Sequence, residues 1–281
     1  MAISSIDIRM PGGSVPIPVL GFGVWQVPQD EVTAAVGEAL TVGYRHIDTA
    51  RIYDNEAGTG AAIAASGIPR EELFITTKVW NDDQGDAPTR AAFEASLDRL
   101  GLDVLDLYLI HWAAPGRGLY AETWETLLDL RAGGRVRAVG VSNFHIQHLS
   151  DAHDRTGVWP GINQIECHPY LQQRELRAFH AAHGIVTEAW SPLASGQEVL
   201  ADPVIAGIAG KHGITPAQAI LGWHLAVGNV VIPKSVTPAR IAENFAAADV
   251  RLDAEDLAAI DGLDRGMRTG PNPDEFWSTP Q

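Results

Sequence analysis

A short apolar run followed by an amphipathic stretch recurs eight times along this chain of 281 residues. The runs start near Val19, Arg45, Leu73, Leu105, Arg137, Gly161, Ile185 and Asn229, mostly 24–32 residues apart, which is the spacing of strand–helix units. Segments 105–110 and 229–232 are apolar at nearly every position, as in parallel strands buried on both faces. Eight alternations predict an α/β fold, a (β/α)8 TIM barrel. The rival is a doubly wound open sheet, but no G-x-G-x-x-G turn follows an early run.

Three further segments extend the predicted barrel. Residues 6–9 and 14–17 flank Pro11-Gly12-Gly13, which predicts an N-terminal β-hairpin across the barrel floor. The long gap between Ile185 and Asn229 leaves room for an extra helix, and residues 253–263 predict a C-terminal helix followed by a polar tail. No low-complexity linker or change of composition marks a boundary, so we expect a single barrel domain over residues 1–281.

The charge and the amino terminus exclude several classes of protein. The chain carries 35 acidic and 20 basic residues, a formal net charge of −15, so it repels polyanions and nucleic acid is not an expected partner. The first residues lack the basic and apolar regions of a signal peptide. The most apolar stretch, 216–233, contains Gln218, His224 and Asn229 and does not predict a membrane span. We expect a soluble, cytoplasmic monomer.

Neither cysteine nor histidine predicts a metal site. Cys167 is the one cysteine, which excludes an intramolecular disulfide and a Cys-rich zinc or iron–sulfur site. No H-E-x-x-H motif is present. The pairs His145/His148 and His180/His183 lack carboxylate partners, and we expect these four residues on the surface.

Ionisable residues stand where three successive predicted strands end. Asp48 ends the second strand, Lys78 the third and His111 the fourth. In a (β/α)8 barrel these ends share one rim, where active sites lie. Ionisable groups at a barrel mouth cost desolvation energy unless they are paired. The three residues therefore indicate a catalytic constellation, although Asp48 and Lys78 taken alone are also compatible with a structural ion pair.

Tyr53 follows Asp48 by five residues and is positioned to lean over the same mouth. A tyrosine with a pKa near 10 is a poor acid at neutral pH. A lysine ammonium at about 4 Å attracts the phenolate by about 4 kcal/mol at an effective dielectric constant near 20, which would lower that pKa by up to about three units. Asp48 would hold Lys78 in place, and His111 would hydrogen-bond a substrate oxygen. This set predicts a proton donor to a carbonyl oxygen.

Four segments carry a resemblance to a known family. They are residues 43–50 with Tyr53 and Asn55-Glu56, residues 137–144, residues 163–166, and residues 232–235 with Arg240 and Glu243-Asn244. On these motifs the chain resembles the aldo-keto reductases, in order from about residue 6 to 265. Residues 61–68 are most similar to the short prokaryotic branch that includes the 2,5-diketo-gluconate reductases.

The resemblance implies a (β/α)8 barrel that binds NADPH across its rim without a Rossmann fold. It implies a catalytic tetrad of Asp48, Tyr53, Lys78 and His111. Ser142, Asn143 and Gln164 would hold the nicotinamide carboxamide, Trp190 would stack on the ring, and Ser191, Leu193 and Gly196 would line the pyrophosphate path. Lys234, Ser235, Arg240 and Asn244 would surround the adenosine 2′-phosphate and adenine. Further expected cofactor contacts are Gly23, Val24, Trp25, Asp48, Val236 and Glu243.

The expected substrate pocket lies above Tyr53 and His111. Trp25, Trp80 and Trp112 each follow a predicted strand, so all three fall on the same rim. Phe276 and Trp277 are two large aromatic residues in a polar tail and are not expected to stay solvated. Two outcomes are open: the tail covers an apolar patch on the outer wall, or it folds over the mouth with Trp277 in the substrate wall.

The expected activity is NADPH-dependent reduction of aldehydes and ketones, among them small dicarbonyls, keto-sugars and aromatic aldehydes. One alternative is a nucleotide-binding barrel with a redox-sensing or regulatory role and little turnover. Another is a barrel aldolase or isomerase with Lys78 as a Schiff base, which leaves Lys234 and Arg240 unexplained.

Overall fold

The computed structural model describes residues 3–196 and 198–277, and parallel strands form its centre. The strands in this part of the chain are β1 (Ser5–Met10), β2 (Gly13–Pro18), β3 (Phe22–Gly23), β4 (His46–Asp48), β5 (Phe74–Val79), β6 (Leu105–Ile110), β7 (Val136–Ser142), β8 (Ile162–Glu166), β9 (Val186–Trp190) and β10 (Val230–Val231). Strands β3 to β10 pair in chain order, every neighbour parallel. All eight predicted strands are present.

The sheet curls until its two edges meet. Leu20 forms a parallel bridge with Val231, whose backbone N–H donates to Val19 O at 2.9 Å. On the same edge the N–H of Gly21 donates to Val231 O at 2.9 Å, and that of Gly23 to Pro233 O at 3.2 Å. These bonds join the first strand to the last, which is the arrangement of a barrel and not of an open sheet. The predicted (β/α)8 barrel is therefore confirmed.

Helices surround the barrel. In the described residues they are α1 (Gln29–Val42), α2 (Glu56–Ala65), α3 (Asp86–Leu100), α4 (Tyr120–Ala132), α5 (Ile146–Thr156), α6 (Arg174–His183), α7 (Pro203–His212), α8 (Pro216–Ala226), α9 (Pro238–Phe245) and α10 (Ala254–Asp261). Two helices, α7 and α8, fill the long gap between β9 and β10, and α10 is the predicted C-terminal helix. No helix in the described ranges is long and apolar enough to cross a membrane.

Local signals set the helix ends. Helix α8 begins with a capping box, in which Thr215 Oγ1 accepts from the N–H of Gln218 while Gln218 Oε1 accepts from the N–H of Thr215. Pro216 takes the first helical position, where its missing N–H costs nothing. Helix α3 stops at Gly101, whose φ of +67° lies in the left-handed region that glycine tolerates. These signals fix the lengths of the segments between strands.

The predicted hairpin forms the barrel floor. Strands β1 and β2 pair antiparallel around Pro11-Gly12, and Ile8 and Ile17 are buried beneath the barrel. A Cβ at Gly161, just before β8, would lie 2.6 Å from both Ile8 Cγ2 and Met10 Sδ. The hairpin thus closes the amino-terminal end of the barrel and leaves the carboxyl-terminal end, where polar side chains gather, as the open mouth.

Two of the four histidines expected on the surface are buried, so that prediction is wrong for them. His148 accepts from the N–H of His145 at the start of α5. His180 lies between Asn163 Nδ2 at 3.0 Å and Thr187 Oγ1 at 2.8 Å, and burial lowers its pKa to about 3. Polar partners inside the fold allow these imidazoles to be buried in the neutral form.

Candidate active site

The barrel brings Asp48, Lys78 and His111 together at the mouth. Strand β4 pairs with β5, and β5 with β6, so the three residues stand on neighbouring strands or directly after one. All three side chains are buried. Lys78 Nζ donates to Asp48 Oδ1 at 2.6 Å and to the backbone oxygen of Thr49 at 2.9 Å. Burial works against the lysine charge, but Asp48, Tyr53 and Glu188 together raise the pKa of Lys78 above its usual value.

Tyr53 reaches this ion pair from a short helical turn, Arg51–Tyr53, that follows β4. Its hydroxyl oxygen lies 3.4 Å from His111 Nε2, and Lys78 Nζ lies 5.1 Å from the centre of its ring. The expectation that Lys78 lowers the tyrosine pKa is wrong for the net effect. Burial raises the pKa of Tyr53 to about 12; Lys78 opposes this, but the charges of Asp48 and Glu188 reinforce it. Tyr53 therefore keeps its proton at neutral pH, and Lys78 is the one of these groups that favours the phenolate.

His111 is neutral in this setting. Burial lowers its pKa well below the usual value, and the nearby Lys78 charge lowers it further. Asn143 Nδ2 donates to the backbone oxygen of His111 at 3.1 Å, which fixes the loop that carries the ring. The N–H of a neutral imidazole and the O–H of a phenol are two hydrogen-bond donors, and here both can reach one substrate oxygen atom at the mouth.

A second layer of polar groups lies beneath Asp48. The side-chain nitrogen of Gln164 donates to Asp48 Oδ2 and to Glu188 Oε2, each at 2.8 Å. Glu188 is fully buried on β9, and its Oε1 lies 3.6 Å from His46 Nε2. Burial, reinforced by the Asp48 charge, raises the pKa of Glu188 to about 8. Glu188 was not among the residues expected at the site, although an acidic residue inside a predicted buried strand was a usable signal.

The other amides expected at the nicotinamide are also buried at the mouth. Ser142 Oγ donates to the backbone oxygen of Gln164 at 2.8 Å, and Asn143 takes a φ of +58°, which asparagine tolerates. The half-buried Trp190 donates its indole N–H to Asn143 Oδ1 at 2.8 Å. Ser142, Asn143, Gln164 and Trp190 thus form one connected group on β7, β8 and β9.

The residues expected along the rest of the cofactor lie farther out. Ser191, Leu193 and Gly196 belong to the loop after β9. Gly23 and Val24 are buried beside the bonds that close the barrel, and Trp25 is 47% exposed.

The residues expected at the adenosine end lie around the start of α9. Lys234, Val236 and Arg240 are exposed there, and Ser235 and Asn244 are buried. Glu243 Oε1 accepts from Thr215 Oγ1 at 2.8 Å, so its carboxylate is already engaged with α8. Within the described residues, neither Lys234 nor Arg240 has an acidic partner within 4 Å.

Aromatic side chains form the walls of the mouth. The ring of Trp80 lies edge-on to His111 at 5.2 Å between centres. Phe276 packs 4.6 Å from Trp112 and 6.2 Å from Trp80, centre to centre. Trp277 is 46% exposed and lies against Gly116, where an added Cβ would be 3.0 Å from the indole. The tail therefore passes over the mouth, with Phe276 between the two tryptophans.

Glu166, at the end of β8, anchors this tail. Its Oε1 accepts from the backbone N–H of Thr269 at 2.6 Å and from the Thr269 hydroxyl at 2.5 Å. A Cβ on Gly270 would lie 2.5 Å from Trp190 Cη2, so a larger residue there would displace the indole or the tail. Asp274 Oδ1 lies 2.7 Å from His145 Nδ1 and 3.5 Å from His148 Nε2, a second attachment close to Phe276. The expectation that this histidine pair lacks a carboxylate partner is therefore wrong, because the tail supplies one from 129 residues away.

One cluster away from the mouth has metal-ligand types, namely His212, Asp253 and Asp256. The ammonium of Lys211 lies 2.6 Å from Asp253 Oδ2 and 2.8 Å from Asp256 Oδ1. The ammonium group of Lys211 thus occupies the place that a metal ion would take between these carboxylates, and the cluster connects α7 to α10.

Comparison with known proteins places these features in a family. The model of the aldo/keto reductase family matches residues 19–265. The methylglyoxal reductase DkgA of Salmonella typhimurium is 54% identical over 270 residues, which cover 96% of this chain and 97% of that protein. An aldo-keto reductase of Mycolicibacterium smegmatis is 54% identical over 260 residues, 92% of this chain and 94% of its own. A variant of the protein Gox0644, solved in complex with NADPH, matches with a TM-score of 0.91 at 47% identity, covering 97% of this chain and 99% of its own.

Proposed function

The chain belongs to the aldo/keto reductase family, and on that premise we propose that it reduces small aldehydes and ketones to alcohols, with NADPH as the cofactor. The observation that carries the proposal is the protonated Tyr53 hydroxyl, 3.4 Å from a neutral His111 and beside the buried Lys78–Asp48 pair. Because DkgA relatives of this chain are named methylglyoxal reductases, we include methylglyoxal among the proposed substrates.

Each member of the tetrad has a separate task in this proposal. Tyr53 gives its proton to the carbonyl oxygen, and His111 donates a hydrogen bond to the same oxygen and orients it. Lys78 stabilises the phenolate that remains on Tyr53, and Asp48 keeps Lys78 charged and in place. When bound, NADPH supplies the hydride that the carbonyl carbon receives, so that hydride and proton together convert carbonyl to alcohol.

The residues of this chain suit NADPH. Lys234 and Arg240 are exposed cations at the start of α9, where the helix dipole also favours a phosphate group. The half-buried indole of Trp190 offers an aromatic face at the mouth. Asn143 and Gln164 offer amide groups to a carboxamide. The chain thus offers cations for a phosphate group, an aromatic face for a ring and amides for a carboxamide, the three kinds of group that NADPH carries.

The test of the reaction is loss of NADPH absorbance in the presence of methylglyoxal or a nitrobenzaldehyde. We expect turnover with at least one of them and none without a carbonyl compound. Cofactor binding without turnover across a broad carbonyl panel would instead favour the regulatory barrel.

Cofactor preference is expected to depend on Arg240. A charge-assisted hydrogen bond contributes about 1.5–3 kcal/mol, so Arg240→Ala should weaken NADPH binding by about 10–100-fold and leave NADH binding unchanged. Titration of both cofactors measures this. Arg251→Ala is the matched control, because Arg251 is exposed and its guanidinium donates to backbone oxygens of Ala248 and Val250. Equal KM values for NADH and NADPH in both the wild type and Arg240→Ala would contradict the assignment.

Substrate choice is expected to depend on the tail at Phe276. Aromatic pairs contribute about 0.5–1.5 kcal/mol beyond their buried area, so Phe276→Ala should raise KM for a nitrobenzaldehyde by about 2–10-fold at constant NADPH affinity. Trp277→Ala is the matched variant at the neighbouring position, where the side chain is 46% exposed. An equal or larger effect of Trp277→Ala would assign the substrate wall to Trp277, which is one of the two outcomes that the sequence left open.

A further inference from the structure

Glu188 is a buried carboxyl group that the proposed reaction does not use. It stands on β9 with no exposed surface, and four polar side chains on three other strands face it: His46 and Asp48 on β4, Lys78 on β5 and Gln164 on β8. Burying a carboxyl group lowers the stability of the fold unless hydrogen bonds or a charged partner compensate for the lost hydration. We propose that Glu188 is a positioning residue which, with Asp48, orients the side-chain amide of Gln164 toward the nicotinamide carboxamide; this rests on the proposed NADPH function.

The orientation follows from the hydrogen bonds of Gln164. A primary amide has two N–H groups, and the Gln164 nitrogen directs them to Asp48 Oδ2 and Glu188 Oε2, both at 2.8 Å. Within the described part of the chain, no donor lies within hydrogen-bond distance of Gln164 Oε1. The nitrogen end of the amide is therefore committed to the barrel interior, and the oxygen end is left to accept from a ligand.

Two acceptors hold the amide more firmly than one. Because Glu188 Oε2 accepts from Gln164, a proton on this carboxyl group belongs on Oε1, which faces His46 Nε2 at 3.6 Å. A half-turn of the amide would then place its oxygen against two acceptors, Asp48 Oδ2 and Glu188 Oε2, with the loss of two hydrogen bonds. With Asp48 alone, the amide would keep one bond in several orientations, and Asp48 is already shared with Lys78. Glu188 is thus the group that selects a single orientation of Gln164.

The chemistry of Glu188 offers a close mimic. Burial raises its pKa to about 8, so at neutral pH the side chain is chiefly a neutral acid. Glutamine has the same shape, carries no charge and retains a carbonyl oxygen that accepts from Gln164. Leucine has a similar bulk and no acceptor. Glu188→Gln and Glu188→Leu therefore separate the acceptor from the volume of the side chain.

The experiment compares two ligands by titration, with intrinsic tryptophan fluorescence or calorimetry as the readout. NADPH carries the nicotinamide carboxamide, whereas 2′,5′-ADP carries the adenosine 2′-phosphate alone. We expect Glu188→Leu to weaken NADPH binding by about 3–10-fold, the effect of about one neutral hydrogen bond, and to leave 2′,5′-ADP binding unchanged. Glu188→Gln should restore NADPH affinity to within about twofold of the wild type, since the acceptor remains.

Two further variants control for structural damage. Thr187→Val is a buried polar change on the same strand that removes the 2.8 Å contact with His180 and none with Gln164, so it should leave both ligands unaffected. Gln164→Leu should lose NADPH affinity by itself, and adding Glu188→Leu to it should cause no further loss. If Glu188→Leu does not fold, Glu188→Ala replaces it in the same comparison, because it removes the acceptor without adding bulk.

Three results overturn the inference: unchanged NADPH affinity when the acceptor is removed, equal weakening of NADPH and 2′,5′-ADP, or additive effects of the substitutions at 164 and 188. A wild-type protein that binds neither ligand would instead refute the NADPH proposal itself, and the positioning role with it. If the wild type binds NADPH tightly and Glu188→Leu binds it equally well, the positioning role alone is refuted.

Discussion

Replacing Tyr53 with phenylalanine should lower kcat for carbonyl reduction by about 10²–10⁴-fold while NADPH still binds. General acid catalysis contributes this range, and the substitution removes the acid but keeps the ring. The pKa of about 12 keeps the Tyr53 hydroxyl protonated, so the proton to be transferred is in place, and the nearby Lys78 charge stabilises the phenolate that the transfer leaves. The measurement is steady-state kinetics with methylglyoxal, together with an NADPH titration.

Tyr44→Phe is the matched control for this result. The Tyr44 hydroxyl is also buried, but it lies 3.4 Å from the backbone oxygen of Ile241 on the outer side of the barrel. The same chemical change there should leave kcat close to that of the wild type. A Tyr53→Phe enzyme with nearly full kcat would show that another group supplies the proton.

Removing one partner of the buried Asp48–Lys78 pair should be the most destabilising change at the mouth. Breaking a buried ion pair costs about 3–5 kcal/mol, because the remaining charge has lost its partner in a medium that solvates it poorly. Asp48→Asn leaves the Lys78 ammonium with the oxygen of Thr49 and a neutral amide. For a chain of this size each kcal/mol shifts Tm by about 2–4 °C, so a fall of about 10 °C is expected.

The double variant distinguishes a buried charge from a general packing defect. Adding Lys78→Met to Asp48→Asn removes the orphaned ammonium, so the double variant should unfold at a higher temperature than Asp48→Asn alone, although it should be inactive. Glu94→Gln is the control, because its 2.8 Å pair with Arg135 is exposed and should contribute less than about 1 kcal/mol. Equal Tm values for Asp48→Asn and Glu94→Gln would contradict the proposed energetics.

Much of the fold could be predicted because each parallel strand carries its own signal. Strand β6, for example, is buried at all six positions, and its apolar run is visible without any long-range information. The gathering of Asp48, Lys78 and His111 was also predictable, since a barrel brings successive strand ends to one rim. Local pattern and barrel topology together place these three residues.

The remaining features depend on opposing electrostatic effects and on contacts between distant residues, neither of which a sequence pattern shows. The pKa of Tyr53 reflects burial and three surrounding charges, and the pattern suggested the Lys78 charge alone. Glu188 meets Gln164 across two strands, 24 residues apart in the chain. Phe276 and Trp277 are adjacent and similar in type, and only the folded tail, which is attached to Glu166 through Thr269 and Gly270, shows that Phe276 is the ring on Trp112. Each of these outcomes is set by tertiary contacts.

The closure of the barrel between Leu20 and Val231 implies that a bound cofactor would also stabilise the fold. The strands on either side, β3 and β10, are each two residues long, so few backbone bonds hold this seam and it is a natural place for local opening. The proposed cofactor contacts come from both sides of it, with Gly23 and Val24 on one edge and Lys234 and Arg240 beyond the other. A ligand that contacts both edges binds only the closed form, so its binding free energy stabilises the closed barrel.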